Sequence, residues 1–204
     1  MLPQRINLIA YSTLAVIICY IDRVNISVAI IPMQEQFGWS DSQVGFIFSS
    51  FYLGYMLTMA LGGYLSDKFG GKRVLGWGVV LWSIFTILTP LAAHNGFFAL
   101  FFIRILMGIG EGVTFPAWHS LYARWIPFNE RTRAIAFTNS GISIGTIIGY
   151  IGTQMIILAM GWEWAFYIFG IVGMVWFIFW NRNVTSYPNE NKRIAAEELA
   201  YIQE

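Results

Sequence analysis

Apolar side chains fill six stretches of this chain, each of roughly 20 residues, with short polar segments between them. The stretches fall at 6–32, 44–65, 74–93, 97–118, 134–160 and 164–180. A helix of about 20 apolar residues crosses a ~30 Å hydrocarbon core. Inside lipid the backbone must satisfy its own hydrogen bonds, which a helix does. The pattern therefore predicts an all-α membrane protein, with residues 1–180 forming one six-helix transmembrane bundle. Residues 181–204 are polar and end in a helical pattern, with Ile194, Leu199 and Ile202 among Lys192, Glu197 and Glu198. They read as the start of a cytoplasmic connector.

Basic residues set the orientation. The segments 1–5, 66–73, 119–133 and 181–204 hold ten of the twelve Lys and Arg residues. The alternate segments 33–43, 94–96 and 161–163 hold none, only Glu35, Asp41 and Glu163. Cytoplasmic loops carry the excess of positive charge, so both ends are expected inside. The very short 161–163 turn predicts that the two helices it joins pack as antiparallel neighbours. Gly141, Gly145 and Gly149 recur every four residues, one face on which another helix can come close.

Composition narrows the classes. Charged residues are 11% of the chain, against about 25% in a soluble domain, and the mean hydropathy is +0.60. The first stretch lacks a small-residue cleavage site and reads as a retained helix, not a signal peptide. A net charge of +1 with no basic cluster outside the short loops gives no reason to expect a nucleic-acid partner. Cys19 is the only cysteine, so no internal disulfide or cysteine-based metal site is expected, and neither is any cofactor. His94 and His119 read as a hydrated and a capped loop-end residue. No Gly-rich phosphate cradle, nucleophile elbow or HExxH occurs, which leaves an enzyme reading without support.

Four strong charges interrupt the apolar stretches: Asp22 and Arg23 in the first, Arg104 and Glu111 in the fourth. An ionisable side chain at mid-bilayer costs about 2.5–3.5 kcal/mol even on a lenient scale, so none of these faces lipid. Arg104 and Glu111 are seven residues apart, which on a helix is roughly 20° in direction and ~10.5 Å in height. Gly108 between them leaves room for a cavity or for a close neighbour. One reading makes the four charges two buried salt bridges that lock the first span to the fourth. The other makes the arginines the grip for an anion, since a guanidinium matches a carboxylate or phosphate bidentately. The second is preferred, because desolvation offsets most of the attraction in a buried pair. Burial disfavours an ionised carboxyl and a nearby guanidinium favours it, so an anion arriving at an arginine can alter proton binding. If six helices are two triplets, the first and fourth spans correspond, and paired irregularities of this kind mark a transporter's midplane site.

Between the second and third spans the chain reads Gly63-Tyr64-Leu65-Ser66-Asp67-Lys68-Phe69-Gly70-Gly71-Lys72-Arg73. The glycine before the aspartate permits close helix contact, and the Gly70-Gly71 pair makes a tight turn. In its place after the second span, this loop resembles the signature loop of the major facilitator superfamily. Further segments are similar to that superfamily's anion:cation symporters, which include bacterial galactonate-type sugar-acid transporters, sialin, vesicular glutamate transporters and plant phosphate transporters. They are Tyr20-Ile21-Asp22-Arg23-Val24-Asn25, Arg104-Ile105-Leu106-Met107-Gly108-Ile109-Gly110-Glu111-Gly112, Phe115-Pro116-Ala117 and Arg124-Trp125-Ile126-Pro127.

The resemblance implies the N-terminal six-helix half of a twelve-helix fold, itself a 3+3 repeat. Its missing partner would be a C-terminal six-helix half. It implies a secondary transporter in the cell (inner or plasma) membrane that couples proton entry to uptake of a small organic anion such as a sugar acid (hexonate or glucarate class). Asp22 and Glu111 would carry protons. Arg23 and Arg104 would hold the substrate carboxylate, with Tyr20, Tyr55 and Asn25 beside them. Gly63, Asp67, Gly70, Lys72 and Arg73 would form the loop that works in the conformational switch. Ile142 departs from the galactonate-type pattern, which has glutamine there. Two rivals remain: a non-transporting scaffold or half-transporter subunit whose charges are only salt bridges, and a transporter of inorganic phosphate or glutamate.

Overall fold

The computed structural model describes residues 3–203; the first two residues of the N-terminal segment and the last of the tail lie outside them. Helix α1 runs Gln4–Phe37 and stops at Gly38, whose φ of +65° lets its N–H reach the Gln34 carbonyl. Ser40 and Gln43 then form a reciprocal capping box that starts α2, Asp41–Phe69. Gly70 alone separates α2 from α3, Gly71–His94. The tight turn predicted for the Gly70-Gly71 pair is thus made by one residue, and Gly71 already begins a helix. At 34 residues, α1 is about 51 Å long at 1.5 Å per residue, well beyond a ~30 Å hydrocarbon core.

The fourth stretch departs from the expected single helix at 97–118. Helix α4, Phe97–Gly112, ends at Val113, and α5, Thr114–Trp125, carries the chain onward, the two making one span of 29 residues. Pro116 explains the break. It has no N–H to give the Gly112 carbonyl four residues back, and its ring crowds that carbonyl. The span also continues seven residues past 118, which puts Arg124 on a helix and not in a loop. Helices α6, Phe128–Met160, and α7, Trp162–Asn183, complete six apolar spans among the described residues.

The longest interfaces join α1 to α6 and α2 to α4, with α3 lying against α4 and α7. Exchanging spans one, two and three for four, five and six turns the α1–α6 pair into the α4–α2 pair. It leaves α3–α7 in place, as two related triplets require. The shortest turn does not mark the broadest contact: α6 and α7 touch over a smaller stretch than α6 and α1.

Glycines set both long interfaces. A Cβ on Gly141, Gly145 or Gly149 of α6 would stand 3.0 Å from Thr13 O, 3.0 Å from Ile17 Cα and 3.1 Å from Ile21 Cα respectively. The predicted close approach is therefore made by α1. On the other side Gly54, Gly108 and Gly112 bring α2 and α4 backbone to backbone; a Cβ on Gly108 would lie 2.9 Å from Tyr55 N. The space beside Gly108 thus belongs to a neighbouring helix and not to a cavity. Gly63 is a correction in the opposite sense. Its Cβ would meet nothing within 4 Å, and it is Gly62 that packs, 2.9 Å from Pro116 Cγ.

The tail is more firmly held than a connector need be. It begins helix α8 at Ala196 and ends it at Gln203, so Lys192 and Ile194 of the expected helical pattern precede the helix. Ile194 and Ile202 pack against the main core. The Glu198 carboxylate accepts the backbone N–H groups of Gln4 and Arg5 at 2.9 and 3.0 Å, capping the free N-terminus of α1. Arg5 bridges Glu130 at 2.9 Å and Glu198 at 3.5 Å, and Tyr201 Oη donates to Glu130. One cluster thus ties α8 to the starts of α1 and α6.

Two outcomes follow. Gly108→Ala should lower stability by about 1–3 kcal/mol, as overpacking does, while Gly63→Ala leaves it unchanged; thermal midpoints in one detergent compare them. Glu198→Ala should cost about 0.5–2 kcal/mol, the usual cost of a lost cap, and should speed hydrogen exchange at Gln4 and Arg5.

Candidate functional site

Helix α1 carries its polar residues on two stripes. Cys19 and Arg23 lie one turn apart and turn toward α4; Asp22 and Asn25 lie roughly 110° around the helix. Arg23 Nη2 and Nε donate to Glu111 Oε2 at 3.0 and 3.2 Å, and the Cys19 thiol donates to the same oxygen at 3.2 Å. Glu111 is wholly buried, yet its Oε1 has no hydrogen-bond partner. One oxygen is held three ways and the other is bare.

The Arg23 guanidinium sits among rings, 4.8 Å from the centroid of Tyr20, 4.7 Å from Tyr55 and 5.2 Å from Phe51. Aromatic faces favour a cation electrostatically while excluding water from it. Phe51 also lies 5.0 Å below the Arg104 guanidinium, so a single ring spaces the two arginines. Arg104 is only 2% exposed. It donates to Met107 Sδ at 3.3 Å and forms no ion pair within the chain's described residues, and its Nε has no partner.

The alternative reading of two interhelical salt bridges is therefore half met. Arg23–Glu111 forms, whereas Arg104 and Asp22 make no ion pair among the described residues. Asp22 and Asn25 are both 0% exposed, and every polar side-chain atom they carry is unpartnered. The Trp82 indole nitrogen faces Asp22 short of hydrogen-bond geometry. Burying such groups without partners costs about 1–3 kcal/mol each by mutational measures. These atoms are open to hydrogen bonds from water or from another molecule.

The structure thus brings together Arg23, Glu111, Tyr20 and Tyr55, sets Arg104 beside them across Phe51, and places Asp22 and Asn25 on a separate stripe. Phe51 and Cys19 were not foreseen, although spacing points to both: Phe51 is four residues before Tyr55 and Cys19 four before Arg23. Ile142 packs against the main core. The loop residues lie apart from the site. Asp67 accepts from Arg124 Nη2 and Ser120 Oγ, each at 3.3 Å, and Lys72 Nζ donates to Asn181 O at 3.0 Å. His94 ends α3, 3.6 Å from Glu163, and His119 bonds the Phe115 carbonyl on α5.

A family model described as Major Facilitator Superfamily matches residues 12–203. The chain belongs to this superfamily. Among curated relatives it is 46% identical to "Probable anion transporter 4, chloroplastic" of Oryza sativa subsp. japonica, over 98% of this chain and 34% of that protein. Two relatives from Arabidopsis thaliana are the "Ascorbate transporter, chloroplastic", 44% identical over 98% of this chain and 37% of its own length, and the "Sodium-dependent phosphate transport protein 1, chloroplastic", 42% identical over 98% and 39%. The chain thus spans well under half the length of these relatives. Its fold matches that of a bacterial homolog to human lysosomal transporter Spinster, at a TM-score of 0.81 and 23% identity over 92% of this chain and 46% of that one. It also matches the proton:xylose symporter XylE, at a TM-score of 0.80 and 20% identity over 98% and 49%. The six-helix bundle of this chain corresponds to 46% and 49% of those two solved chains.

The two arginines should respond oppositely to removal. Arg23→Gln strands the Glu111 charge and should cost about 3–5 kcal/mol, as breaking a buried pair does. Arg104→Gln removes an unpaired buried cation and should leave the ligand-free protein as stable or more so. Thermal midpoints without substrate distinguish them.

Proposed function

We propose that this chain is the N-terminal six-helix half of a secondary active transporter that moves a small organic anion together with protons. Both ends would lie in the cytoplasm, and a second six-helix half would complete the translocation path. The observation that carries this reading is Arg104: a buried guanidinium that makes no ion pair among the described residues, next to a second guanidinium that makes one. An incoming carboxylate supplies the missing anion.

Coupling then follows from the Arg23–Glu111 pair. A substrate carboxylate that engages Arg23 competes with Glu111 Oε2 for the same N–H groups. A carboxylate left bare at 0% exposure is costly, so Glu111 takes a proton as the anion takes its partner. Asp22, unpartnered and equally buried, is the second proton acceptor in this scheme. Tyr20 and Tyr55 hold Arg23 in place and present their hydroxyls, and Asn25 offers an amide toward the same path. Gly63, with open space beside it, and the loop of Asp67, Gly70, Lys72 and Arg73 would meet the other half as the two rock.

A sugar-acid-like anion accords with the name of the ascorbate-transporting relative. Inorganic phosphate is the second reading, favoured by the phosphate-transport relative at 42% identity; its oxygens suit the same guanidinium forks. The expected cell-membrane location gains no support from relatives whose names place them in chloroplasts. The mechanism requires only a membrane that maintains a proton gradient.

In the intact transporter in proteoliposomes, Arg104→Gln should abolish uptake of the anion. Glu111→Gln should retain exchange of bound anion while losing response to an imposed proton gradient. A bound anion at a hundred times its dissociation constant should stabilise the protein by about 2.7 kcal/mol, read as a raised thermal midpoint. Uptake that survives both substitutions would overturn these residue roles, whereas no anion uptake at all, with no anion raising the midpoint, would leave the scaffold reading in possession.

A further inference from the structure

Two cavities meet at Phe69 and Arg73, away from the charged site. The first, of about 440 Å³, rises between α2 and α3 over α4 and is walled by Leu65, Trp77, Leu81, Ile109 and Val113. Trp77 and Phe69 are 65% and 51% exposed, so this groove is open at the outer face of the bundle. The second, of about 270 Å³, lies at the basic end, where the turn at Gly70 meets residues 184–190. Lys68, Lys72 and Arg73 line it, with the hydroxyl-bearing Thr185 and Ser186 opposite. Gly70 allows this closeness: its φ is +86°, and a Cβ there would stand 2.9 Å from Ser186 Oγ.

The charges of this second cavity are unbalanced. Three cations face one carboxylate, Glu190, which already accepts the Tyr187 N–H at 3.3 Å. None of the three cations has an ion-pair partner among the described residues. Lys68 Nζ lies over the Tyr64 and Phe69 rings, 5.7 and 5.4 Å from their centroids, and Lys72 Nζ bonds only a carbonyl. The order along the surface is thus an apolar channel toward the bilayer interior, then a cationic, hydroxyl-lined bay at its end.

We propose that these joined cavities bind a diacyl phospholipid with an anionic headgroup, its phosphate in the bay of Lys68, Lys72 and Arg73 and an acyl chain along Trp77 and Leu81. Basic pockets at the ends of transmembrane helices recognise acidic headgroups in this way. A free phosphate would use the bay alone and leave the adjoining groove without a role. The occupant would brace the turn between the second and third spans against residues 184–190, so bilayer composition would bear on the mobility of that turn. The proposal goes beyond the transport reading and requires that the bay of Lys72 and Arg73 stay open to lipid where that loop meets the other half.

The test takes the intact protein, extracted in mild detergent and offered equimolar phosphatidylglycerol and phosphatidylcholine with identical acyl chains. Native mass spectrometry reads the retained lipid. Phosphatidylglycerol should be retained roughly tenfold over phosphatidylcholine. The triple substitution Lys68→Gln, Lys72→Gln, Arg73→Gln should erase that preference. Lys68→Gln alone, at an exposed side chain, should reduce it with the fold intact. Inorganic phosphate or glycerol 3-phosphate at millimolar concentration should not displace the lipid. Equal retention of the two lipids, as would follow if another helix filled the groove, overturns the proposal. So does displacement by either soluble phosphate.

Discussion

The backbones of α2 and α4 lie against each other, and the site exists because they do. Gly54, Gly108 and Gly112 remove the side chains that would hold the helices apart. With α4 that close, Phe51 and Tyr55 on α2 reach the arginines of α4 and α1, and Glu111 on α4 comes within bonding distance of Arg23. Lipid tails supply no hydrophobic drive for helices to associate, so packing and polar contacts must do it. Here small residues give the packing, and one enclosed ion pair fixes how α1 is turned relative to α4. Its worth lies in register more than in net stability, since desolvation offsets much of the attraction in any buried pair.

The glycine face of α6 repeats the arrangement on the other side, against α1. The bundle therefore has two backbone-to-backbone contacts, one of which holds α1, with its charged stripe, against α6. Rigidity matters for a site whose polar atoms are partly unpartnered. A looser bundle would let Asp22, Asn25 and Arg104 find partners within the chain, and the openness on which the proposed anion binding rests would be lost.

Much of this was legible in the sequence, for identifiable reasons. Apolar runs announce spans because lipid tolerates little else, and for the same reason four charges inside such runs stand out. The glycine face of α6 was visible as a four-residue period. What could not be read was pairing between helices distant in sequence. Nothing in the local pattern says that Arg23 meets Glu111 while Arg104 meets no carboxylate, or that Gly62 packs and Gly63 does not. The break at Val113 carried a signal in Pro116, but hydropathy averages over a single missing hydrogen bond. The tail's helical pattern was legible, but the contacts of Glu198 and Tyr201 depend on where the starts of α1 and α6 converge.

Glu111 offers its two oxygens unequally, and this asymmetry has a kinetic meaning. Because Oε2 carries the thiol and both guanidinium contacts while Oε1 stays bare, a hydron can be accepted on one side of the carboxyl before anything on the other side lets go. In the proton-carrying role proposed for Glu111, loading and release would then be separate events at one group, in a permitted sequence instead of a single concerted swap. A carrier so arranged would resemble an escapement: each half-step held until the next has engaged, and an empty return without cargo meeting a latch.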